Sequence, residues 1–289
     1  MTDSLQRFLF EHTPVRGQLV HLDATWRAVL ERHDYPPPLR KLLGELMAAG
    51  ALLSATLKFE GALIMQMQGR GPVKLVVVEV TSAGTLRATA SWDDEIPHVP
   101  FRELLGGGRF VITLVPTEGT QSYQGVVDMD GDSVAEVLEH YMHKSEQLDT
   151  RLWLACDEHQ AAGMLLQRLP AEEGPDPDAW NRVVRLGATL SRHELLALPA
   201  REVLRRLFHE EDVRVFESSP LSFRCSCSRE RVTAMLRMLG RDEVRAIVAE
   251  HGKVEVTCEF CRKHYALDAV DAEQVFAADM QTNAGPTRH

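Results

Sequence analysis

"FRCSCSRERV", residues 223–232, sets Cys225 and Cys227 one residue apart, and "VTCEFCRKHY", residues 256–265, follows with Cys258 and Cys261 two residues apart. The 289-residue chain has only five cysteines, so nearly all of its sulfur stands in two tight pairs. A stretch as short as 225–270 cannot bury enough apolar surface to fold by itself, and small modules commonly make up the shortfall with a metal. Four thiolates at tetrahedral vertices are the usual closed ligand set for structural zinc. The two-residue spacing of the second pair suits ligation at a tight turn, and the one-residue spacing of the first still lets both sulfurs reach one ion. The reading is a small C-terminal domain holding one Zn2+ per chain, in the reduced state, on Cys225, Cys227, Cys258 and Cys261. His251 and His264 can in principle replace a ligand, but with four sulfurs at hand they read as solvent-facing or as partners of ligands. Cys156 lies in a predicted strand far from the others and reads as a small buried apolar residue.

Zinc has no redox chemistry, but its thiolate ligands do. A peroxide or hypochlorous acid oxidises a thiolate to a sulfenic acid, which a neighbouring thiolate captures as a disulfide. With its ligands tied up the metal leaves, and a binding free energy of order 10 kcal/mol that was also folding free energy leaves with it. Oxidation of such a site unfolds a domain.

The chain upstream reads as α+β. Residues 3–10 and 15–22 suit strands, and Asp23 suits the N-cap of a helix through "ATWRAVLERH" that the "YPPP" at 35–38 ends. The segment "LRKLLGELMAAGALLSATLKF" is apolar around most of its circumference, as a helix buried in the first domain must be. From Gly61 the runs "GALIMQMQ", "VKLVVVEV" and "TLRATA" predict an antiparallel meander, with further strands at 109–115 and 121–128. A helix capped by Ser133 and Glu136 follows, with Val134, Val137, Leu138 and Tyr141 on one face. "TRLWLAC" and "AAGMLLQRLP" close this domain, residues 1–171.

"AEEGPDPD", residues 171–178, has the composition of a domain boundary. Beyond it, 172–224 reads as short helices with 10 acidic and 8 basic side chains, either conditionally docked or permanently packed. In the last domain, 225–270, Ser228 caps a helix with Val232, Met235, Leu236 and Leu239 on one face. A second helix stops at Gly252, and the strand "KVEVTC" leads to the second cysteine pair. Residues 271–289 read as a flexible tail.

The formal charge is -10. An acidic body repels phosphate backbones, which argues against non-specific nucleic-acid binding. The opening residues lack a signal-peptide pattern, and the longest nearly apolar run, residues 48–57, is too short to span a bilayer, so a cytoplasmic protein with no membrane partner is expected. "GRGPVK" at 69–74 and the glycines at 106–108 lack the end of a phosphate loop, and no GxSxG or HExxH motif is present, so no enzymatic activity is expected.

The pairs in "RCSCSRERV" and "CEFCRKHY", with "TLKFEGALIMQMQGRGP", "SYQGVV" at 122–127, "HKSEQLDTRLWL" at 143–154 and "AAGMLLQRLP", run in order along nearly the whole chain. In these residues the chain resembles the heat shock protein 33 family, bacterial redox-regulated holdase chaperones. The resemblance implies a two-layer α/β N-terminal domain with antiparallel sheets, a helical linker and a C-terminal zinc module that acts as a switch. It implies zinc on the four cysteines in the reduced, inactive protein. On oxidation it implies disulfides joining Cys225 with Cys227 and Cys258 with Cys261, zinc release, and a loosened linker. The active form it implies is a homodimer that holds unfolding proteins under oxidative stress without ATP. Within the linker, Leu186, Leu190, Leu195, Leu196, Leu204, Leu207 and Phe208 are the apolar residues available to a client. Two other readings stay open: a static four-cysteine zinc ribbon that recognises nucleic acid through Arg224, Arg229, Arg231, Arg262 and Lys263, and an oxidoreductase using the thiols catalytically.

Overall fold

In the computed structural model, which describes residues 3–57, 60–117, 121–170 and 176–282, the two N-terminal runs pair as an antiparallel hairpin, β1 (Ser4–Phe10) and β2 (Val15–Leu22). Asp23 precedes α1 (Ala24–Leu30) but gives it no side-chain cap. Asp3, just before β1, does that work: its carboxylate accepts from the Asp23 and Thr25 amides at 2.5 and 2.6 Å. After the prolines, α2 (Pro37–Ser54) starts with proline in its first turn, where a missing N–H costs nothing.

The helix α2 is buried almost all round because it lies between two sheets. One sheet has the order β10-β1-β2-β9-β8, built from β8 (Thr150–Cys156), β9 (Ala161–Arg168) and the short β10 (Val213–Val215), with β11 (Ser219–Pro220) also on β1. The other has the order β12-β5-β4-β3-β6-β7. Its strands are β3 (Gly61–Gly69), β4 (Val73–Thr81), β5 (Thr85–Trp92), β6 (Gly108–Pro116), β7 (Tyr123–Val127) and β12 (Ser222–Phe223). The predicted antiparallel sheets are therefore present, and β12 on β5 is the one parallel pairing among the described strands. Close approach fixes α2 against the first sheet: a Cβ on Gly44 would stand 2.2 Å from Cys156 Sγ.

Two smaller helices flank this centre, α3 (Phe101–Leu105), which the sequence reading missed, and α4 (Val134–Lys144). Ser133 caps α4 as expected, accepting from the Glu136 amide at 3.2 Å, and Val134, Val137, Leu138 and Tyr141 are buried. Glu136 reaches back one residue further than a capping box requires, to the Asp132 amide at 2.7 Å.

Strand β9 is buried along most of its length because both faces of its sheet are covered. Alternate residues feed two cores: Ala161 and Leu165 join the first, around α2, while Ala162, Met164 and Leu166 face a second. The second core is closed by α5 (Ala179–Gly187), α6 (Arg192–Ala197) and α7 (Ala200–Leu207). Leu195, Leu196, Leu204, Leu207 and Phe208 are buried there, with Leu186 and Leu190 half-buried. The Phe208 ring meets Phe10 edge-on at 5.0 Å. The described part of the linker, 176–224, is not helical throughout: after α7 the chain runs extended through β10, β11 and β12 along the edges of both sheets.

The chain divides into two compact units, Met1–Arg224 and Cys225–His289. The second holds α8 (Arg229–Leu239), α9 (Arg241–His251), the hairpin β13 (Val254–Thr257) and β14 (His264–Leu267), and α10 (Ala269–Thr282). Ser228 caps α8, and Gly252, at φ 77°, ends α9 in the left-handed conformation that glycine tolerates. Two expectations are corrected. Of the α8 face, Val232 and Leu236 are buried but Met235 and Leu239 are exposed, because the third core is only wide enough for one narrow stripe. Residues 271–282 are not a frayed tail: they belong to α10, whose Ala272 and Val275 complete that core, while 283–289 lie outside the described residues. No helix among the described residues is long and apolar enough to cross a membrane.

Candidate metal centre

Cys225 and Cys227 lie in the extended segment just before α8, and Cys258 and Cys261 flank the turn of the β13–β14 hairpin. The hairpin sets that turn: the Cys258 amide donates to the Lys263 carbonyl at 2.9 Å and the Arg262 amide to the Cys258 carbonyl at 2.8 Å. Arg262 takes a left-handed φ of 60° to close it. The four sulfurs converge, all within 4.8 Å of one another. Cys225 and Cys258 Sγ are 3.6 Å apart and Cys227 and Cys261 Sγ 3.3 Å, well beyond a covalent S–S bond, and no disulfide joins any of the five cysteines. With metal–sulfur bonds of about 2.3 Å, a tetrahedron of thiolates has edges of about 3.8 Å. The set is the right size to hold one ion, and its donors are soft sulfur alone.

Electrostatics set Cys227 apart from Cys258 and Cys261. Burial alone would push the Cys227 thiol up, but hydrogen bonds from Tyr265 and the neighbouring thiols bring it down to about 7. Burial raises Cys258, and pushes Cys261 up to about 12. Burial thus holds Cys258 and Cys261 back from ionising while Cys227 is eased toward it, and a bound cation is what would favour their thiolates together.

Tyr265 is the participant that sequence reading missed. It stands in β14 with its ring in the third core, and its hydroxyl donates to Cys227 Sγ at 3.2 Å. The hairpin register pairs it with Val256, and no ligand-spacing rule would have drawn attention to it. His264 and His251 are exposed and outside the sulfur cluster; His264 is engaged instead by Thr257 and Glu255, each at 3.3 Å. Cys156 is buried in the first unit as expected, where burial raises its thiol far above the ordinary range.

A family model described as Hsp33 protein matches residues 3–268. The chain belongs to the Hsp33 family. Among its relatives is a "33 kDa chaperonin" of Methylobacillus flagellatus, 52% identical over all of this chain and 99% of the relative. A protein of the same name from Nitrosococcus oceani is 49% identical over 99% of both chains. The fold agrees with the crystal structure of the heat shock protein 33 homolog of Thermotoga maritima, with a TM-score of 0.83 at 21% identity, over 97% of this chain and 100% of that one. Hsp33 relatives thus carry a chaperone's name, and the cysteine cluster of this chain has a geometry that suits a metal.

Proposed function

We propose that this chain is a redox-regulated, ATP-independent holdase of the cytoplasm, which binds unfolding proteins and prevents their aggregation under oxidative stress. The observation that carries the reading is the convergence of four cysteine sulfurs in a unit whose own core is very small. Cys225, Cys227, Cys258 and Cys261 hold zinc in the reduced, inactive state, and the ion supplies the folding free energy that the third core lacks. Each disulfide takes two electrons from two thiolates. Hydrogen peroxide accepts them, and with two protons it leaves as water. Pairing Cys225 with Cys227 and Cys258 with Cys261 leaves no thiolate to serve as ligand, so unit 225–289 loses what keeps it folded.

The linker, 172–224, then loosens from the sheet, and the apolar side chains of α6 and α7 become available to clients. Its mixed composition keeps it soluble when open. The active form is a homodimer. A nucleic-acid-binding zinc ribbon fits less well, because Arg229 is occupied by Asp271 at 2.7 Å and Arg262 stands 3.8 Å from Glu259.

One experiment tests the reading: zinc release and suppression of client aggregation, followed on one sample before and after peroxide at raised temperature. The expected result is suppression that rises as zinc leaves. Equal suppression by reduced protein, or by a variant with all four cysteines changed to serine and never oxidised, would sink the redox switch. Mapping the disulfides checks the pairing, since close sulfur contacts in the reduced fold, Cys225 with Cys258 at 3.6 Å and Cys227 with Cys261 at 3.3 Å, also run between the pairs.

A further inference from the structure

The outer edge of β1 carries a strap. Residues 213–221 leave α7 behind and lie along β1, pairing Val213, Arg214 and Val215 with Phe10, Leu9 and Phe8, and Ser219 and Pro220 with Leu5 and Ser4. Backbone bonds hold it: Glu11 N–H to the Asp212 carbonyl at 2.9 Å, Phe216 N–H to the Arg7 carbonyl at 3.0 Å and Leu221 N–H to the Asp3 carbonyl at 3.1 Å. Few side chains anchor it: Arg214 pairs with Glu11 at 2.5 Å, and the buried Gln6 side chain donates to the Phe216 carbonyl. From Arg214 to Ser218 every residue is exposed, Phe216 by 40%, and only Leu221 at the far end is buried. The strand beneath is the opposite: Leu5, Phe8 and Phe10 are buried, and the other edge of β1 is paired with β2 along its whole length.

A firm strand covered by a weakly held one is a template whose cover can be exchanged. Removing the strap would bare a row of unpaired N–H and C=O groups, the feature by which sheet edges recruit another chain. We propose that β1 is the docking site for an extended aliphatic segment of an unfolding polypeptide, which adds to the sheet as a strand in place of residues 213–221. This rests on the holdase reading and names how one part of a client is held.

The strap itself states the chemistry that fits, an extended Val-Arg-Val-Phe run whose Val213 packs against the second core. Grooves beside it would take the alternate side chains. One, of about 300 Å³, is lined by Arg7, Phe8, Leu9, Leu57, Leu169 and Phe216, and another, of about 520 Å³, is lined by Leu5, Ala51 and Leu221 together with the polar Arg7, Glu60 and Thr81. Folded proteins seldom offer a free strand of this kind, and unfolding ones do. Between the strap and Cys225 stands only β12 on β5, where the Ser222 and Arg224 amides donate to the Gly84 and Leu86 carbonyls at 3.0 Å, so loss of order in the cysteine unit frees this end of the strap once it spreads through β12.

The test uses the full chain, reduced and peroxide-oxidised, and a fluorescent peptide of residues 212–217. A second peptide is N-methylated at the amides of Arg214 and Phe216, the alternate positions that face β1. Oxidised chain is expected to bind the first peptide, and the methylated one about tenfold more weakly or worse. Reduced chain is expected to bind little, and more after Phe216→Pro, which removes the donor to Arg7. Equal binding of both peptides, or of neither, to oxidised chain overturns strand addition. Aggregation suppression on the same samples separates the causes: suppression without peptide binding defeats this proposal alone, and no suppression in either state defeats the holdase reading with it. A peptide that binds dilute oxidised chain but is expelled as the chain self-associates would assign the edge to a second copy, and would overturn the proposal too.

Discussion

The Tyr265 hydroxyl ties the third core to the sulfur cluster. Its ring is buried with Leu236, Val244 and Leu267, which fixes the phenol beside Cys227 in the folded unit, and Lys263 lies over the ring with Nζ 5.2 Å from its centroid. A donor held in this way orients Cys227 and stabilises its thiolate, as partners of metal ligands commonly do. Tyr265→Phe keeps the ring and deletes the bond. Zinc is expected to pass to a chromophoric chelator with an affinity lower by about tenfold, while the helix signal of the zinc-loaded protein stays unchanged. Unaltered affinity would show that the hydroxyl merely satisfies itself. The sulfurs were legible in sequence because ligand spacing is local. Tyr265 was not, because its role depends on a cross-strand register that no local spacing encodes.

Among the elements, α6 has an unusual fastening. His21, buried in β2, places Nε2 3.0 Å from the Leu195 carbonyl and joins the sheet to the first linker helix with a buried leucine pair. Burial lowers the His21 pKa from its ordinary 6.5, although the carbonyl bond opposes this. A base depressed in the folded state gives stability that is present above its unfolded pKa and lost as pH falls toward the folded one. The docking of α6 is therefore expected to weaken below about pH 6.5. Hydrogen exchange corrected for intrinsic rates should rise for 192–208 between pH 7.5 and 5.5 in reduced chain, leave β3–β5 unchanged, and lose this response in His21→Gln. A response that persists in the variant would assign it to another group. The helices of 172–224 could be read from their apolar spacing, but their dock could not, because its sheet is assembled from strands at both ends of the first 170 residues. Strands β10 to β12 carry two or three residues each, too few for a period to emerge, and α10 was missed because its buried stripe is mainly Ala272 and Val275.

Across the whole molecule, stability is distributed unevenly. The first unit has two cores of its own, whereas the second has a few buried residues and a cluster of thiols. A structural zinc contributes about 10 kcal/mol or more to folding, which the buried residues of the second unit have little prospect of replacing. Removing the metal from reduced chain with a strong chelator is thus expected to release amide protection throughout 225–282 while β2, β3, β4 and β9 stay protected. Between these extremes the order follows from burial. The strap at 213–221 buries little apolar surface of its own, so it should open next at 25 °C. The helices α5 to α7 bury Val183, Leu195, Val203 and Phe208 against the sheet, so they should need heat as well. If chelation opened 179–208 before 213–221, or opened both together without heating, local burial would not set the sequence of opening. The heat requirement would then have to arise from the cysteine unit itself.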